Sequence, residues 1–161
     1  MKFKNKSVFF VVILILTTFL VSACGGPNQS DPKAVAEHVV YLANKMSQEG
    51  MSKDDVVDNI KKYWRNEEQG IGDFSKWGKL HKISEKYNMK ATFTIGKIKE
   101  VDLLLMYSRE KDGDNRILYT FRYDLEKDGV KDDSIDEGII LIDKNQKDGK
   151  WYVGTIYHPN Y

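Results

Sequence analysis

One cysteine in 161 residues, Cys24, leaves the chain no intramolecular disulfide, so its hydrophobic core must supply the stability. Three prolines, set against 12% aromatic residues, exclude a disordered chain. Charge of neither sign prevails: 25 basic side chains face 24 acidic ones, which gives no electrostatic footprint for nucleic acid. The longest apolar run, Val8–Val21, is 14 residues, short of the roughly 20 that cross a hydrocarbon core. HExxH, CxxC, Gly-x-Ser-x-Gly, Walker A and GxGxxG patterns are all missing. No motif therefore assigns a catalytic, cofactor-binding or metal-ligating residue, and the expectation is a protein that is not an enzyme and carries no cofactor.

What is present begins with three zones. Lys2, Lys4 and Lys6 give a positive start, Val8–Val21 an apolar stretch, and Ser22 and Ala23 a small-residue approach to Cys24. That order is the secretory pattern. The segment Leu20-Val21-Ser22-Ala23-Cys24 resembles the lipobox of bacterial lipoproteins. The resemblance implies removal of residues 1–23 by cleavage between Ala23 and Cys24, and a diacylglyceryl group, with palmitate-type chains, on the Cys24 thiol. It places the protein on the extracytoplasmic face of the cell membrane, held by lipid. One acyl chain binds a bilayer marginally and two hold firmly, at about 0.8 kcal/mol per buried methylene.

Residues 24–30 read as a flexible tether, with Gly25 and Gly26 at its start. Residues 31–161 then form a single domain. Without Lys2, Lys4 and Lys6 the mature chain is slightly acidic. Ser30 or Asp31 can cap a helix that opens on Pro32 and carries Val35, Val39, Leu42, Ala43 and Met46 on one stripe up to Gly50. Ser52-Lys53-Asp54-Asp55 resembles a capping box and starts a second helix, with Val56, Ile60, Tyr63 and Trp64 as its stripe. Glu67–Asp73, with Gly70 and Gly72, reads as a polar break. A third helix follows from about Phe74 to Tyr87, its stripe being Trp77, Leu80, Ile83 and Tyr87.

Beyond Asn88 the apolar period falls to two. Phe93 and Ile95 alternate with threonines, and Val101, Leu103, Leu105 and Tyr107 with mixed partners. The clearest strand carries Ile117, Tyr119, Phe121, Tyr123 and Leu125 on one face. Ile139–Ile142 and Trp151–Tyr157 complete the set, with turns at Lys111–Asp114, Lys127–Gly129 and Lys147–Gly149. Along the last strand, Tyr152 and Ile156 are expected on the outer face, as ordinary sheet cover or as a partner patch.

Helices first and strands after predict an α+β fold, with the helices on one face of a curved antiparallel meander of four to five strands. Together with the lipobox and tether, this layout resembles the small cystatin-like-fold lipoproteins of Gram-positive bacteria, which are close in shape to NTF2-like domains. The resemblance implies a recognition or accessory module with a protein partner. Its alternatives are an NTF2-like pocket for a small apolar ligand, around Asp102, Tyr107, Tyr119 and Tyr123, and an accessory subunit of a cell-envelope or conjugation-type assembly. Cystatin-type peptidase inhibition is not implied: the Gln-x-Val-x-Gly hairpin is missing, and no glutamine occurs between Gln69 and Gln146.

Two other constellations hold acids or histidines. Asp124-Leu125-Glu126-Lys127-Asp128-Gly129 opens like an EF-hand loop, but the twelfth position is Ile135, where a bidentate acid is required. Asp132, Asp133, Asp136 and Glu137 lie close by, Lys127 and Lys131 oppose a cation, and a solvated loop is expected. His38, His81 and His158 fall in separate elements, with His38 and His158 expected as surface or cap residues. Replacing Cys24→Ser is expected to release the mature domain from membranes or block its processing; membrane fractionation and gel mobility measure both.

Overall fold

The computed structural model describes residues 26–98, 116–131 and 136–158. The leader, Ala23 and Cys24, the strand expected around Val101–Tyr107, the turn Lys111–Asp114 and the acids Asp132 and Asp133 lie outside the described residues.

Helix α1, Pro32–Gln48, starts where Asp31 accepts a hydrogen bond from the Lys33 amide at 2.9 Å. Val35, Ala36, Val39, Leu42 and Ala43 form its buried stripe. Helix α2, Lys53–Tyr63, is capped by Ser52, whose Oγ accepts from Asp55 N at 3.1 Å and donates to the Asp55 carboxylate at 2.7 Å. Ser52 thus caps as a capping box requires, while Asp55 accepts from the serine hydroxyl where the usual glutamate or glutamine accepts from the N-cap backbone N–H.

Helix α3 runs Glu67–Tyr87, through the stretch expected as a break. Asn66 caps it by accepting from Glu68 N and Gln69 N, and Asn88 closes it in the left-handed conformation at φ 51°. Gly70 is a contact residue: a Cβ there would lie 2.8 Å from Ile60 Cγ2 and 3.1 Å from Trp64 Cγ. Packing also buries a different face from the one expected. Asp73, Phe74, Trp77, Leu80 and Ser84 are buried, while Ile83 and Tyr87, expected in the stripe, are exposed.

The strands are β1 (Met89–Ile98), β2 (Arg116–Lys127), β3 (Val130–Lys131), β4 (Asp136–Lys144) and β5 (Trp151–Tyr157). They form one antiparallel open sheet in the order β1-β2-β4-β5, with β3 folded back on the end of β2. The β2–β3 turn places Asp128 and Gly129 both at positive φ, 53° and 81°, the pattern of a two-residue hairpin that follows strand twist. Phe93, Tyr119, Phe121, Tyr123, Ile140, Ile142 and Val153 belong to one core cluster with the buried faces of the helices. Among the described residues the architecture is therefore α+β, three helices on an antiparallel sheet.

Two details depart from simple alternation or extend it. The β4–β5 register slips between Leu141 and Ile142. As a result Trp151, Val153 and Ile156 are all core residues, and Ile156 is not on the outer face where the sequence put it. Tyr152 is half-buried, its hydroxyl donating to Asp148 at 2.7 Å. At the opposite edge, the Asn44 amide takes both the N–H and the C=O of Phe93 at 2.8 Å each, and Gln48 donates to the Ala91 carbonyl at 2.7 Å.

The approach to α1 is bound to the domain. The Gln29 carbonyl accepts from Trp151 N at 2.8 Å, and its side chain donates to the Lys62 carbonyl at 3.1 Å. Between helices and sheet, Val39, Ala43, Trp77, Phe93 and Phe121 enclose a void of only about 10 Å³, less than one water commonly needs. Gly70→Val is expected to force Ile60 and Trp64 apart and cost about 1–3 kcal/mol, read as a lower urea midpoint with the m-value unchanged.

Candidate functional site

The turn between α1 and α2 makes an open surface concavity. Gly50, at φ 75°, lets the chain reverse after α1 in a conformation that other residues adopt with strain. A side chain there would also press on His81 Nε2, 3.2 Å from its Cβ position. The reversal leaves an open groove of about 720 Å³ between the end of α1, the Met51–Ser52 link and the middle of α3. Met46, Met51 and Phe74 supply its apolar lining, and Glu49, Lys79, His81 and Lys82 its charged or polar rim. Gly78 gives the groove its depth at α3, since a Cβ there would reach to 2.9 Å from Met46 Cε.

On the rim, Lys79 and Lys82 stand against one acid, Glu49. Lys76, Lys79, Lys82 and Lys86 recur along α3 at spacings of three and four, all exposed, with Glu85 among them. His81 is oriented from below: its Nδ1 lies 3.2 Å from the Ser47 carbonyl, which can only accept, so Nδ1 carries a hydrogen. Its Nε2 then faces Glu85 at 3.6 Å.

The second polar constellation is buried. Asp73, wholly inaccessible to solvent, accepts from Trp64 Nε1 at 2.9 Å through Oδ2. Its Oδ1 accepts from His158 Nε2 at 2.9 Å and Gln69 Nε2 at 3.2 Å. Trp77 and Phe121 present T-shaped contacts to the His158 ring, at 5.9 and 6.3 Å between centroids. His158 is thus a core residue and not the surface or cap residue expected from its place before Pro159. No local spacing encodes a pair 85 positions apart. Asp73 itself was legible only through the phase of α3, because it shares a face with Trp77 and Ser84 once the helix starts at Glu67.

The remaining candidates are dispersed. His38 is half-buried, stacked on Tyr41 at 5.7 Å and meeting Tyr63 edge-on at 4.7 Å, with Asn59 Oδ1 3.4 Å from Nε2. Burial pulls its imidazole below the ordinary value of 6.5; the Asn59 contact opposes this and the Lys62 charge adds to it. Tyr119 and Tyr123 are core residues; Asp102 and Tyr107 lie outside the described residues. Asp124–Lys127 belong to β2 and Asp128–Gly129 to its hairpin, so the opening of the EF-hand-like stretch is strand and turn. Among the described residues no three His, Cys, Asp or Glu side chains gather as a metal site, and no helix is long and apolar enough to cross a membrane.

Comparison with known proteins adds little. No protein-family model matches the chain, and no curated protein matches it. Among solved structures, the crystal structure of the intermembrane space region of the chloroplast protein ARC6 aligns with 81% of this chain and 98% of its own. The identity is 11% and the TM-score 0.35. A likeness of that degree carries no argument about function.

Two measurements probe these sites. Asp73→Ala strands the Trp64 and His158 donors and is expected to lower stability by about 1–3 kcal/mol per donor left unpaired. Asp73→Asn, which keeps one acceptor oxygen, is expected to lose less. For His38, the unfolded chain takes up a proton near pH 6.5 that the folded protein resists. Its contribution to stability is therefore complete above pH 6.5 and lost as the pH falls below it. The difference in urea midpoint between the wild type and His38→Phe is expected to change with pH in that window.

Proposed function

We propose that the chain is a membrane-anchored, extracytoplasmic lipoprotein of cystatin-like or NTF2-like architecture. Its domain works without catalysis, as a recognition module, and presents the α1–α3 groove to a polypeptide partner. The observation that carries this reading is the contrast between the two concavities. An NTF2-like pocket for a small ligand requires room between helices and sheet, and aromatic side chains leave about 10 Å³ there. The surface groove offers about 720 Å³, an apolar lining and a basic rim, a combination suited to an acidic, amphipathic segment of another protein.

Position supports the same assignment. The groove sits at the C-terminal end of α1, and the chain enters the domain at its N-terminal end. The helix has 17 residues, which separates the two by about 25 Å. A domain held at Cys24 would therefore carry the groove away from the bilayer.

A photo-crosslinking residue at Lys79 in the intact, membrane-bound protein tests the reading. A discrete protein adduct is expected, and the added substitution Gly78→Phe, which fills the groove, is expected to abolish it. Equal adducts from Lys79 and from a control position at Lys127, or a bound small molecule in native mass spectrometry, would favour the alternatives.

A further inference from the structure

The point at which the chain enters the domain is basic. Gly26 lies against the last turn of α2, where a side chain at that position would collide with the Tyr63 hydroxyl and come 3.3 Å from Lys62 Nζ. Three residues later Gln29 is hydrogen-bonded to Lys62 and Trp151, which fixes the entry to the end of α2 and the start of β5. Cys24 precedes Gly26 by two residues, so even a fully extended link reaches only about 7 Å from that point.

Around the entry, Lys61 and Lys62 of α2 and Lys147 and Lys150 of the β4–β5 turn are exposed. Lys144 joins them, its ammonium 5.6 Å from the Trp151 ring centroid. Of the acids on this face Asp143 is ion-paired, whereas Asp31 and Asp148 are hydrogen-bonded to neutral donors and stay exposed. Asp31 caps α1. Asp143 accepts from Arg116 Nε at 2.9 Å and Arg65 Nη1 at 3.5 Å. Asp148 accepts from Lys150 N at 3.0 Å and the Tyr152 hydroxyl. Asp58, one turn before Lys61 on α2, is a third exposed carboxylate beside Asp31 and Asp148, and the lysines around the entry outnumber the three.

We propose that this face is a docking surface for the anionic headgroups of a bilayer. The proposal rests on the anchoring of Cys24 set out above and goes beyond it: acyl chains hold the protein, and the lysines orient it. A link of about 7 Å keeps the entry face within one Debye length of the headgroups, where screening is incomplete. Each lysine near an anionic surface then favours the docked orientation about fivefold. The groove, at the far end of α1, is held clear.

The test takes the full-length protein as processed in cells, reconstituted into phosphatidylcholine vesicles with and without phosphatidylglycerol. Exposed lysines are acetylated with a water-soluble reagent and read by mass spectrometry, and the intact mass reports acylation. Lys61, Lys62, Lys147 and Lys150 are expected to be protected relative to Lys79 and Lys82, and the protection to shrink without phosphatidylglycerol. Lys62→Gln with Lys150→Gln is expected to raise labelling at Lys61 and Lys147. An acylated protein labelled evenly, or protected equally on neutral vesicles, overturns the docking surface alone. A protein without acyl mass that fails to bind vesicles overturns the anchor and the docking surface together.

Discussion

The carboxyl group of Asp73 is the constraint on which the arrangement of the helices depends. A carboxyl cut off from water is tolerable only when its oxygens are hydrogen-bonded, and the donors come from three places in the chain. Gln69 is on α3, Trp64 in the link from α2 and His158 at the end of β5. The link itself is stitched to the sheet, since Trp64 pairs with Val153 and Arg65 N donates to the Val153 carbonyl at 2.9 Å. Once Trp64 is fixed, Gly70 can approach Ile60, the tilt of α3 is set, and Gly78 comes to rest against Met46. The groove is a downstream result of a polar contact in the core.

The domain separates its packed interior from its open groove. Trp77, Phe93 and Phe121 fill the space under α1, and Phe74 and Trp77 interlock with Trp64 at centroid distances of 5.4 and 6.3 Å. Such contacts add about 0.5–1.5 kcal/mol each beyond the area they bury. In a chain without a disulfide, aromatic packing of this kind takes the place of a covalent staple. The groove, by contrast, is lined by Met46 and Met51, whose unbranched side chains fit irregular surroundings.

Much of the fold was legible because it is written in local periods. The α1 stripe, the capping serine of α2 and the alternation of Tyr119, Phe121 and Tyr123 each follow from neighbours a few residues apart. The failures have equally specific causes. Gly70 and Gly72 looked like a break because a sequence does not display the close approach of Ile60 that makes glycine useful within a helix. Ile156 looked outward because alternation was extended across a register slip that only the pairing of β4 and β5 reveals. The groove and the Asp73–His158 pair were invisible for a deeper reason: both are products of packing between elements. Their residues, taken singly, look like ordinary surface lysines, a helix methionine and a terminal histidine.

The Asn44 side chain bears on how copies of the domain treat one another. Strand β1 ends the described sheet order, and the outward backbone groups of an edge strand invite another chain to add itself. Asn44 occupies both groups of Phe93 as a neighbouring peptide would, and Gln48 takes the carbonyl two residues away. Two helix side chains therefore counterfeit the next strand. Along Ala91–Phe93 the margin is thereby taken up, and a neighbouring copy could pair with β1 there only by displacing both side chains.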